Sequence, residues 1–262
     1  MPYVDTHCHL DHHFHLSPGQ QVAQARAAGV ATMITVGTDM ASSAQAVATA
    51  TRFDGVWAAV GIHPNDAIEA TPRVLEVIEQ LARDPACVAV GETGLDYYRD
   101  HTTPEQQDAS FRAHIEIAKR TDRTLVIHCR DAWDDVLDTL DAVGAPDRVV
   151  LHCFSGDLGV VQRSVAAGYY ASFAGNVTFA NAAPLREAAA AVPAELLLTE
   201  TDSPYLTPHP HRGEPNDPSF VPLTLRTLAQ VQGRAEEELA AIIVANTSRA
   251  FDLDAGLIAG AA

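Results

Sequence analysis

Tyr3-Val4-Asp5-Thr6-His7-Cys8-His9 begins as a short apolar lead and runs into two histidines two positions apart. Side chains alternate faces along a strand, so imidazoles at i and i+2 point the same way and offer two neutral nitrogen ligands side by side. A doubly wound open sheet, the runner-up architecture, would normally carry a Gly-rich phosphate loop after its first strand, and this segment is nothing of the kind. Four later apolar runs end in the same kind of side chain. Val88-Ala89-Val90-Gly91 reaches Glu92, Leu125-Val126-Ile127 reaches His128, Val149-Val150-Leu151 reaches His152, and Leu196-Leu197-Leu198 runs through Thr199-Glu200-Thr201 to Asp202.

Working outward, short β-rich runs alternate with longer helix-like stretches from end to end. Strands are predicted near 2–6, 31–37, 56–61, 87–92, 124–128, 148–152, 168–173 and 196–201, each apolar on consecutive positions as parallel strands covered on both faces should be. Helices are predicted near 18–28, 40–52, 72–83, 103–121, 131–143, 157–167, 182–191 and 219–231, with Thr71-Pro72 and Thr103-Pro104 as start signals. These make eight β/α units of about 33 residues, the proportions of a TIM-type barrel. The α/β fold expected is a single β/α barrel of eight parallel strands spanning residues 1–262, with an extra C-terminal helix over 236–251. The Pro-rich stretch 204–218 reads as a long ordered loop after the eighth strand.

A hydrophobic content of 47% against 19% charged residues describes a folded globular chain and argues against disorder. No apolar run approaches the roughly 20 residues of a membrane span. With no basic n-region followed by an apolar h-region at the start, a cytoplasmic location is the expectation. A formal charge of -17 argues against broad electrostatic binding to duplex nucleic acid, so a nucleic-acid substrate would have to be gripped locally. The four cysteines are Cys8, Cys87, Cys129 and Cys153, and three of them directly follow a ligand-type histidine. They are expected to point away from the site as buried, reduced thiols.

Strand ends of a β/α barrel open onto one face, which brings His7, His9, Glu92, His128, His152 and Asp202 to one point. Burying so many ionisable groups without a metal is costly. Four imidazoles and two carboxylates suffice for two divalent ions, with Glu92 able to bridge them. The single lysine, Lys119, falls in a predicted helix, so a carboxylated lysine cannot bridge and Glu92 is the natural replacement. Asp202, beside such ions, is expected to orient a water and accept its proton. Glu200 shares its face but lies deeper, as a support. His63, Arg130 and Arg212 are candidate phosphate contacts, guanidinium matching phosphate bidentately. Arg130 is equally placed to brace the helix beginning at Asp131. Tyr97 and Tyr205 are candidates for stacking on a base, or for packing alone. The tract His12-His13-Phe14-His15 reads as solvent-facing.

Asp5-Thr6-His7-Cys8-His9-Leu10, Gly61-Ile62-His63-Pro64, Gly91-Glu92-Thr93-Gly94-Leu95-Asp96-Tyr97, Ile127-His128, His152-Cys153-Phe154-Ser155-Gly156 and Glu200-Thr201-Asp202-Ser203-Pro204-Tyr205-Leu206 together resemble the signature blocks of the TatD family. They occur in the family's order over residues 3 to about 250. The resemblance implies a divalent-metal-dependent deoxyribonuclease that trims single-stranded DNA from the 3′ end. It carries the family's ligands onto the same six residues. One departure is Asp217, where the family usually has Glu after the Asn of this loop.

Three functions remain open at this point. Phosphodiester hydrolysis by metal-activated water leads, with two ions drawn from Mg, Zn or Mn as cofactors. Hydrolysis of a carbonyl ester or amide, on a small molecule or an aminoacyl-tRNA, uses the same site. A structural metal is the non-enzymatic alternative, opposed by an open site, since structural sites are usually closed. Single-stranded DNA ends are the expected partner, with no membrane and no obligate protein partner.

Overall fold

A computed structural model describes residues 2–12, 16–254 and 256. Eight parallel strands pair in sequence order, β1 (Tyr3–Cys8), β2 (Val30–Val36), β3 (Val56–Val60), β4 (Cys87–Asp96), β5 (Thr124–Arg130), β6 (Val149–Leu151), β7 (Tyr170–Phe173) and β8 (Leu197–Thr199). Around this nearly closed barrel lie α1 (Pro18–Ala27), α2 (Met40–Arg52), α3 (Pro72–Ala82), α4 (Pro104–Thr121), α5 (Trp133–Val143), α6 (Leu158–Ala166), α7 (Ala183–Ala191) and α8 (Val221–Gln232). The extra helix α9 (Glu236–Phe251) packs on β1 and β8. Its Asn246 side chain donates to the carbonyls of Ala194 and Leu197, both at 2.7 Å, and so props the start of β8. No helix of the described residues is long and apolar enough to cross a membrane.

Helix starts follow the local chemistry. Thr71 and Thr103 each accept a backbone N–H at the third helical position, with Pro at the first. Asp39 does the same for Ser42, whose hydroxyl returns to the Asp39 N–H.

Several strand boundaries differ from the sequence expectation by two residues or more, and two of these differences shape the site. β4 runs on to Asp96 instead of stopping at Glu92. Val90 pairs with Leu125 and Thr93 with Ile127, so one extra residue is inserted at Gly91-Glu92. Such a bulge re-aims side chains without ending the strand. Gly91, at φ +140°, is required there, because a Cβ would lie 2.3 Å from the Val126 carbonyl oxygen. β8 stops at Thr199, two residues early. Beyond it the chain is held by side chains of β1: fully buried Asp5 accepts the Thr201 N–H at 2.9 Å and the Thr201 hydroxyl at 2.5 Å.

The junction of β1 with β8 is therefore unlike the other seven. Its described links are side-chain hydrogen bonds, Thr199 Oγ1 to the Val4 carbonyl and Thr6 Oγ1 to the Thr199 carbonyl, both at 3.0 Å. Backbone pairing appears only at the top, where Asp202 N–H meets His7 O at 2.9 Å and His9 N–H meets Ser203 O at 2.8 Å.

Behind the site, fully buried His114 of α4 accepts the Ile62 N–H on Nε2 at 3.1 Å and has Nδ1 2.7 Å from the Ser110 carbonyl. Burial pushes this imidazole down to about 4. Unfolded, it titrates near the ordinary 6.5, so as pH falls from 6.5 toward 4 the unfolded chain binds a proton that the native one refuses. Stability is thus lost on acidification, by about 3 kcal/mol over that window at 1.36 kcal/mol per unit. Urea unfolding of wild type and His114→Gln at pH 7 and pH 4.5 checks this: the variant should show the shallower pH slope. Equal slopes would remove His114 from the acid sensitivity.

Candidate metal centre

The six proposed ligands come from five strands and meet at the carboxyl end of the barrel. His7 lies in β1 and His9 one residue beyond it, with ring centroids 5.1 Å apart. Glu92, aimed inward by the β4 bulge, sits among the histidines. Its Oε1 is 3.8 Å from His7 Nε2 and 3.6 Å from His9 Nε2. Its Oε2 is 2.8 Å from His152 Nε2 and 3.5 Å from His128 Nδ1. Asp202 Oδ1 closes the first side at 3.6 Å from His9 Nε2 and 3.9 Å from His7 Nε2. Asp202 adopts the left-handed φ of +53°, as does Cys153 at +44°, and such conformations of non-glycine residues cluster at functional sites.

Three of the four histidines have their outer nitrogen engaged, which turns the inner one toward the cluster as the atom that would meet a cation. His9 Nδ1 lies 2.9 Å from the Val36 carbonyl, His152 Nδ1 3.3 Å from Glu200 Oε1, and His128 Nε2 3.1 Å from Asp96 Oδ2. This is the outer support that metal-ligating histidines use. Glu200 is braced in turn by the Cys153 N–H at 2.8 Å. His7 is fully buried, with neither ring nitrogen hydrogen-bonded, and stacks on His152 at 3.8 Å. An orphaned buried imidazole is costly, and a divalent cation is the partner that this donor set fits.

The electrostatics favour the same reading. Burial alone would raise the Glu92 carboxyl, but His152, His128 and His7 outweigh it and hold the group well below the usual range, ionised and ready to bind a cation. Burial also opposes ionisation of Asp96, yet His128 and the N–H groups of Arg99 and Tyr98 bring it down to about 2. Asp96 was missed in the sequence reading, although it stands an even four positions from Glu92 on one strand and so shares its face.

His63 lies beyond β3, three residues past Val60, and faces His128 edge-on at 4.3 Å. Its Nδ1 accepts the Asn65 N–H at 3.0 Å, and burial pushes it down to about 3. A neutral ring with Nδ1 so occupied carries its proton on Nε2, which makes it a donor rather than a ligand. Arg130 at the end of β5 lines the same cleft, its guanidinium 3.8 Å above the Tyr98 ring. α5 begins only at Trp133, so Arg130 stands on Tyr98 ahead of that helix. Arg212 is not among the cleft's lining residues; it stacks on Phe179 at 3.8 Å.

The cleft, about 590 Å³, is also lined by Trp133, Ser155, Asn176 and Tyr205, none marked as a contact beforehand except Tyr205. Cys129 and Cys153 line it too, instead of turning wholly outward, while Cys8 is fully buried and donates to the Ile34 carbonyl. All four thiols are free. The Tyr97 hydroxyl is engaged at 2.7 Å by Asp135. The 204–218 loop is anchored by buried Asn216, which donates to the carbonyls of Thr201 and Tyr205. Asp217, the departure from the family pattern, accepts the Ser219 N–H at 2.8 Å and so starts the turn that leads into α8. His12 lies 5.2 Å from His9, ring to ring; His13, Phe14 and His15 lie outside the described residues.

Comparison with known proteins agrees with this fold. The family model described as TatD-related DNase matches residues 4–252. The chain is 45% identical to an uncharacterised metal-dependent hydrolase TatD of Mycobacterium tuberculosis, over 95% of this chain and 98% of that one. It is 38% identical to a 3′-5′ ssDNA/RNA exonuclease TatD of Klebsiella pneumoniae, covering 89% and 91%. Among solved structures, a TatD homologue of Escherichia coli K12 superposes with a TM-score of 0.89 at 32% identity, covering 96% and 98%. With its eight-stranded barrel and its histidine–carboxylate cluster, the chain belongs to the TatD family of metal-dependent hydrolases.

Proposed function

We propose that this protein hydrolyses phosphodiester bonds of single-stranded DNA from the 3′ end, using two divalent ions of the Mg, Zn or Mn class. One observation carries the reading: the two oxygens of Glu92 face separate pairs of imidazoles, His7 and His9 on one side, His128 and His152 on the other. That is the arrangement of a bridging carboxylate. On this reading His7, His9 and Asp202 would hold one ion with Glu92, and His128 and His152 would hold the second. Divalent ions bound there would polarise the phosphoryl group and acidify water.

The remaining roles belong to the chain itself. Asp202 accepts the proton of the attacking water, being the most exposed of the cluster carboxylates, at 15% of its side chain. His63 donates from Nε2 to a phosphate oxygen. Arg130 and Arg212, each preorganised on an aromatic ring, take the charge of flanking phosphates. A cytoplasmic single-domain enzyme without an obligate protein partner completes the proposal.

The test is hydrolysis of 3′-labelled single-stranded DNA, assayed with added Mg, Mn or Zn beside small carboxylic ester and amide substrates. Mononucleotide release from the labelled end is the expected result, abolished by chelation. Turnover confined to the ester or amide would overturn the nuclease reading in favour of carbonyl hydrolysis.

A further inference from the structure

Gln107 lies near the start of α4 and is 1% exposed. An amide at that depth must find partners for an acceptor and two donor hydrogens. It finds all three, and each leads back to the metal centre. Its Oε1 accepts the Asp96 N–H at 2.8 Å, and its Nε2 donates to the Asp96 carbonyl at 3.0 Å and to Thr102 Oγ1 at 3.1 Å. We infer, resting on the two-ion nuclease reading above, that Gln107 is a positioning residue. It holds His128 and His63 in one fixed relation, through Asp96 on one arm and Thr102 on the other.

On the first arm the amide meets both backbone groups of Asp96, as a neighbouring strand would, at the last residue of β4. The clamped residue then has its carboxylate held from two sides. Oδ1 accepts the N–H groups of Tyr98 and Arg99, both at 3.0 Å, and Oδ2 lies 3.1 Å from His128 Nε2. His128 is left with Nδ1 facing Glu92 Oε2. On the second arm Thr102, itself buried, passes the hold onward by donating to the Pro64 carbonyl at 2.6 Å. Pro64 directly follows His63, whose ring stands edge-on to His128 at 4.3 Å. A metal-ligand histidine and a phosphate donor thus share one anchor, on a helix outside the barrel. Partners of this outer kind orient the groups that touch metal and substrate. An amide that only fills the core would change stability alone when replaced. A positioning amide changes the ion on the His128 side and spares the one on the His7 side.

The experiment reads zinc affinity and kinetics in two variants of the full chain. Stepwise zinc dissociation constants come from competition with a fluorescent chelator, KM and kcat from bis(4-nitrophenyl) phosphate, and folding from urea unfolding. Gln107→Met keeps length and flexibility while removing the amide. It should weaken one zinc equivalent about tenfold, within the range lost with outer partners of metal ligands, and leave the other unchanged. Thr102→Val removes only the second arm. It should leave both zinc equivalents unchanged and raise KM about fivefold at nearly constant kcat, part of the worth of one hydrogen bond to a charged group. Two unchanged zinc equivalents in folded Gln107→Met overturn the inference alone. If that variant fails to fold, Thr102→Val decides, and an unchanged KM overturns it. Wild type that takes up only one zinc equivalent, or hydrolyses no phosphodiester with divalent ions present, overturns the two-ion nuclease reading, and the inference with it.

Discussion

Glu92→Gln is expected to lower phosphodiester turnover about a thousandfold and to reduce bound divalent metal at both positions, the largest effect of any single change in the chain. The side chain keeps its volume, so packing around the bulge survives. What disappears is the charge between four imidazoles, with Oε1 turned to His7 and His9 and Oε2 to His128 and His152. Losing an ion forfeits several kcal/mol of transition-state stabilisation, and about 4 kcal/mol is a thousandfold in rate. Elemental analysis after dialysis, run beside the kinetic assay, separates the possibilities. Loss of one equivalent with turnover preserved would show that Glu92 serves a single ion.

Asp202→Asn is expected to cost about a hundredfold to a thousandfold in kcat, with KM nearly unchanged, the range of a lost general base. Asparagine keeps an oxygen facing His9 and His7 but is a far weaker proton acceptor. The ion associated with His128 and His152 should therefore remain, because Asp202 lies on the other side of Glu92. Metal content above one equivalent together with collapsed kcat is the signature. A rise in KM at constant kcat would assign Asp202 to binding alone.

Much of this site was legible because barrel topology turns sequence-distant strand ends into neighbours. Helices were legible where local chemistry fixes them: α2 lies at 40–52 and α9 at 236–251, as expected, the former with its Asp39–Ser42 capping box. The failures are tertiary. Nothing local in Gly91-Glu92 says that β5 will oppose two residues with one, which is what carries β4 on to Asp96. The early end of β8 depends on Asp5, nearly two hundred residues away, accepting from Thr201. The proton position on His63 depends on the Asn65 N–H. Arg212 could be read as a cation, but its seat on Phe179 belongs to the folded chain alone.

The β1–β8 junction has a thermodynamic consequence. His7 and His9 stand on one side of it and Asp202 on the other, so an ion coordinated by all three is a cross-link between the two ends of the barrel. The hoop would then be fastened at the proposed active site. Folding and metal occupancy then become one linked equilibrium, in which free metal at a hundred times its dissociation constant adds about 2.7 kcal/mol to native stability. The supply of divalent ion would thereby set the stability of the closed barrel as well as its turnover.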